Sequence, residues 1–159
     1  MNRIVAIVTL SATALLQACA TGSAPASIAD TTSRTAQLST LNKLVADAGL
    51  TETLRTSGPY TLFAPSDEAF KAVPAKTMAE LSANKELLKS VLTYHVVPGK
   101  LMAAEVKSGN LKTVQGANVA LARSGGFVTV EEAMVTQADI PASNGVVHVI
   151  DRVLMPPKK

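Results

Sequence analysis

The chain has 159 residues and a net charge of +3, with 47% hydrophobic and 17% charged residues, no Trp, two Tyr and three Phe. An aliphatic chain of this size can bury a core of its own as a single domain. So little charge and so few aromatic rings exclude a charge-driven disordered chain, a histone-like DNA wrapper and any other nucleic-acid partner. One cysteine excludes an internal disulfide and a cysteine-built zinc cage.

Residues 1–18 read as an export signal. Arg3 supplies the positive start, and Ile4 to Leu16 is an uncharged run too short for a stable membrane span, which needs about 20 apolar residues. The run ends in Leu16-Gln17-Ala18-Cys19, which resembles the bacterial lipobox. In such signals the cysteine is acylated, with chains such as palmitate, and becomes the mature N-terminus, so Cys19 is the expected lipid attachment site. Ala18-Cys19-Ala20 also fits ordinary signal cleavage, which would discard the cysteine and release a soluble secreted or periplasmic protein. With Ala20 rather than Asp after the cysteine, the lipid route leads to an outer membrane where the cell has one. Residues 19–30, small and polar with Pro25, read as a flexible tether, and 31–156 as the domain.

Within the domain, Leu38, Leu41, Leu44, Val45 and Ala48 mark one face of a helix over 35–48, stopped by Gly49. Leu50 to Arg55 adds a short helical turn, and Tyr60 to Ala64 is β-prone. Ser66 is placed to cap a short helix with Asp67 and Glu68 in its first turn. After Pro74, Thr77 to Glu80 fits a capping box, and Asn84 caps a helix through Leu87, Leu88, Val91 and Leu92. From Tyr94 onward, short Val- and Leu-rich runs alternate with Gly, Asn and Pro, as in an antiparallel sheet or sandwich. Helices first and strands later give an α+β class, with a β-sandwich wrapped by N-terminal helices.

Three segments point further: TLFAPSDEAF (61–70), LTYHVVPG (92–99) and NGVVHVIDRVLMP (144–156). Their order and spacing resemble the fasciclin domain, from about Ser27 to Pro156. The resemblance implies a compact β-sandwich with several helices and a non-enzymatic role in adhesion or protein contact at the cell surface. In animal adhesion members the Tyr-His region is linked to integrin binding, which would make Tyr94, His95, Val96 and Val97 a partner-binding edge. The residues themselves leave a second reading open, in which His95 is a core histidine bonded to a nearby carbonyl or carboxylate. His148, in a Val-rich strand, reads as structural. Asn144-Gly145 reads as a tight turn with positive φ at both residues, and Val146 to Leu154 as a strand buried on both faces.

Catalytic patterns are thin. Ser82-Ala83-Asn84-Lys85 matches S-x-x-K without its companion motifs. A triad of Ser66, His148 and Asp151 has no supporting sequence geometry. Two histidines with scattered carboxylates give no metal-ligand spacing, and no phosphate-binding glycine loop opens a helix, so neither metal nor cofactor is expected. The expected partners are surface or matrix proteins or glycans, with the membrane reached through the lipid, and the domain is expected to be a monomer. The alternative is an envelope sensor or carrier holding a small apolar molecule, which requires an apolar pocket.

Overall fold

The computed structural model describes residues 26–157; the signal, Cys19 and most of the expected tether lie outside them. The chain opens with α1 (Ile28–Arg34), a 3-10 turn at Ala36–Leu38, α2 (Ser39–Asp47) and α3 (Thr51–Thr56). Ser27 caps α1 by accepting the Asp30 N–H, and Ile28 is fully buried. The domain therefore begins before residue 31, and Ser27 to Asp30 belong to the fold rather than to the tether. Thr31 and Thr32 fill buried positions of this helix, which conceals it from an apolar periodicity.

The single helix expected over 35–48 is broken at its start. Thr35 is extended, and α2 begins only at Ser39, turning Leu41, Leu44 and Val45 inward. Its N-terminus is capped from a distance: Asp67 accepts from the Ser39 hydroxyl at 2.7 Å and the Thr40 N–H at 2.8 Å.

Strand β1 (Tyr60–Pro65) leads into α4 (Asp67–Lys71), where Ser66 accepts the Ala69 N–H as expected. Then come α5 (Ala75–Ala83) and α6 (Lys85–Tyr94), the latter capped by Asn84 through the Glu86 and Leu87 N–H groups. The expected capping box at Thr77 is absent because α5 has already started after Pro74, which puts Thr77 inside the helix.

Six more strands follow: β2 (Val96–Pro98), β3 (Gly109–Lys112), β4 (Asn118–Ser124), β5 (Phe127–Val130), β6 (Ala133–Ala142) and β7 (Gly145–Ile150). Their order is β2-β1-β7-β6-β5-β4-β3, with β1 and β7 parallel and the other pairs antiparallel. Strand β6 joins two halves. Its first residues pair with β5, its later ones with β7, and register shifts between Val135 and Ile140 bend it across. At the far edges the Val114 N–H donates to Val96 O at 2.8 Å, so the sheet nearly closes.

Two apolar cores result. Leu62, Ala64, Val147 and Val149 face the helices, packing with Leu41, Leu88 and Leu92. Phe63 and Ile150 face inward, against Val119, Leu121, Val128 and Val130. All six residues of β7 are buried, so that strand serves both cores, as its continuous apolar run indicates. The α+β class and the helix-wrapped sandwich of the sequence reading both stand.

Candidate functional site

The Tyr-His segment does not lie on an edge exposed to partners. Tyr94 is the last residue of α6, not the start of a strand, and Tyr94, His95, Val96 and Val97 are each between 1% and 5% exposed. Their burial overturns the expectation that these four residues form a contact surface. His95 instead fastens the helix end to the C-terminal segment. Its Nδ1 faces Val91 O at 2.7 Å and its Nε2 accepts the Leu154 N–H at 2.9 Å. A backbone donor on Nε2 assigns the proton to Nδ1. Burial pushes the His95 pKa down to about 4, so the ring is neutral at pH 7.

The tyrosine hydroxyl donates to Asn118 O at 3.0 Å and lies 3.4 Å from a Glu131 carboxylate oxygen. Burial, reinforced by Glu131, raises its pKa. Glu131 sits in the left-handed region at φ 54 and also accepts the Ala120 N–H at 2.8 Å. That conformation costs a non-glycine residue roughly 1–2 kcal/mol, which these contacts help to offset. Composition and periodicity gave no sign of Glu131, since its role depends on a turn geometry.

His148 is equally occupied. Its Nδ1 accepts the Asp139 N–H at 3.1 Å, its Nε2 donates to Leu101 O at 2.7 Å, and the ring stacks on Phe63. The other members of the paper triad are engaged elsewhere: Ser66 caps α4, and Asp151 accepts the Met134 N–H at 2.7 Å. These three side chains are thus committed to separate partners. Ser82 donates back to Met78 O within α5, an ordinary helix-surface bond.

A surface feature does adjoin the corner. An open groove of about 470 Å³ passes Tyr94 between the turn at Glu131–Ala133 and the C-terminal segment after Asp151. A hollow of about 370 Å³ continues it, sharing Arg152, Val153 and Met155 and reaching Ala72 and Val73 beyond α4. Arg152 Nη1 lies 3.8 Å from Glu132 Oε2 across the rim. By contrast, the apolar cavity bounded by Leu50, Leu54, Tyr60 and Val96 holds only about 20 Å³, whereas small-molecule sites need at least about 300 Å³.

Comparison with known proteins agrees with this architecture. The family described as Fasciclin domain matches residues 36–156. Protein sll1483 of Synechocystis is 48% identical over 121 residues, covering 75% of this chain and 67% of that protein. Cell surface glycolipoprotein MPB83 of Mycobacterium bovis is 36% identical over 141 residues, covering 86% of this chain and 63% of its own length. A domain pair from the insect cell adhesion molecule fasciclin I superposes with a TM-score of 0.65 at 17% identity, covering 82% of this chain and 51% of the insect chain. The last is a likeness of fold, and the chain spans about two thirds or less of each of these relatives. On the family match and these identities, the chain belongs to the fasciclin domain family.

Proposed function

We propose that this chain is a non-enzymatic cell-envelope protein that acts by adhesion or protein–protein contact, held to the membrane by lipid on Cys19. The observation that carries the reading is that one fasciclin domain fills the described residues, with both imidazoles occupied by backbone bonds. The envelope address is supported by the lipobox-like Leu16 to Cys19 and by likeness to a cell surface glycolipoprotein. Adhesion is supported by the fold shared with an insect cell adhesion molecule. Among the described residues no helix is long and apolar enough to cross a membrane.

The partners are surface or matrix proteins or glycans, met by a monomeric domain. The small-ligand alternative ranks second, because the apolar cavity beside Tyr60 is far below ligand size. The test compares attachment to host or matrix surfaces by cells that make the protein and cells that lack it. Loss of attachment without the protein, restored by re-expression, is expected. Full attachment by the deficient cells overturns the adhesion reading.

A further inference from the structure

The groove beside Tyr94 divides its chemistry between floor and rim. The floor is aliphatic, with Val153 and Met155 over the buried Ala133 and Leu154 at one end and Ala72 and Val73 at the other. Met155 is 45% exposed and offers apolar surface to the groove. The rim is acidic. Glu131 and Glu132 line the first hollow and Asp151 the second. Among the described residues the one cation lining the two hollows is Arg152, loosely paired with Glu132 at 3.8 Å. Lys71, next in sequence to the floor residue Ala72, is taken by Glu68 at 2.6 Å. Among the described residues, three carboxylates thus line the two hollows beside one guanidinium.

The geometry points to this groove as the docking site for an extended, aliphatic, lysine- or arginine-bearing segment of a partner protein. The inference rests on the reading above that the domain works by protein contact, and it names the chemistry of that contact. The groove is open along its length, which suits a chain laid along it better than a molecule enclosed by it. An extended segment alternates its side chains, so apolar residues can meet the floor while every second residue reaches the rim. Cations at those positions would complement the carboxylates and steer the encounter, and the aliphatic contacts would hold the complex.

The test is fluorescence anisotropy with the full chain and a labelled octapeptide of alternating valine and lysine, against its valine–glutamate counterpart. The lysine peptide is expected to bind about tenfold more tightly than the glutamate peptide. Its affinity should fall about tenfold in Glu132→Lys and in Met155→Ser, and it should weaken as salt is raised. Glu132 is almost fully exposed and Met155 partly so, and a thermal melt superimposable on wild type verifies that each variant folds. Equal affinity for the two peptides, or lysine-peptide binding untouched by both substitutions, overturns the proposal. Binding seen only after Lys158 and Lys159 are replaced by serine would assign the groove to the chain's own tail and likewise overturn it. Failure here is separable from failure of the adhesion reading, which is decided by cells lacking the protein whatever the peptides do.

Discussion

His95 links three separate parts of the chain through one ring and one carbonyl: α6 through Val91 O, the C-terminal segment through the Leu154 N–H, and β1 through its own carbonyl, which accepts the Phe63 N–H at 2.9 Å. Because the unfolded chain takes up a proton near pH 6.5 and the folded one only near 4, the unfolded state binds more protons between those values. Stability from this residue is therefore complete above about pH 6.5 and falls as pH drops toward 4, by about 3 kcal/mol in total. His148, whose pKa burial also lowers, acts in the same direction. His95→Ala is expected to lose on the order of 1–3 kcal/mol at neutral pH, since the buried Leu154 N–H then has no partner. It should also flatten the fall in stability on acidification. Urea unfolding at pH 7 and pH 4.5 checks both effects, and a variant with the wild-type midpoint and the wild-type pH slope would contradict them.

At the scale of an element, the turn before β7 acts as a clamp on the helices. Asn144 accepts the Ile28 N–H at 2.8 Å and donates to Leu54 O at 2.7 Å and Ser57 O at 2.8 Å, fixing α1 and the end of α3 to the sheet. A Cβ built at Gly145 would collide with Tyr60 O, so the parallel pairing of β1 with β7 requires glycine there. Asn144→Ala should destabilise by about 2–4 kcal/mol. Asn144→Asp should cost more, because it keeps the acceptor for Ile28 and turns two donors into acceptors facing carbonyls. Chemical denaturation decides the order, and an aspartate variant as stable as wild type would remove the clamp from the account. The Asn-Gly pair was legible in the sequence as a turn, but only Gly145 of the two has positive φ; the asparagine's work lies in long-range bonds that no local pattern encodes. Caps such as Ser66 and Asn84 were legible because their partners lie within three residues. The same limit explains the misreading of Tyr94 to Val97. Alternating apolar letters suit a strand, yet Tyr94 closes an amphipathic helix and the short β2 begins only at Val96. The groove was illegible altogether, because its walls come from residues about 20 to 85 positions apart that meet only in the folded chain.

At the scale of the whole molecule, the proposed anchor and the domain work together. A shallow groove in a domain of this size offers contacts of modest area, and such contacts are weak singly. Many copies fixed on one surface raise the effective concentration of each further contact, so that avidity supplies what single affinity lacks. Clustering of that kind needs stable membrane attachment. Each buried methylene contributes about 0.8 kcal/mol, one acyl chain holds only marginally, and firm anchoring needs a second. Cys19 is the only cysteine of the chain and closes the lipobox-like Leu16 to Cys19, so Cys19→Ser isolates the anchor from the fold, which in the described residues begins after it. The variant is expected to leave the acylated pool, to lose the mass of the lipid, and to attach cells poorly even where its domain unfolds at the wild-type temperature. Mass spectrometry of the purified protein, cell fractionation and attachment assays on the same cultures make the comparison. Wild-type protein recovered without lipid, cut instead after Ala20, would replace the anchored reading with a soluble, released one.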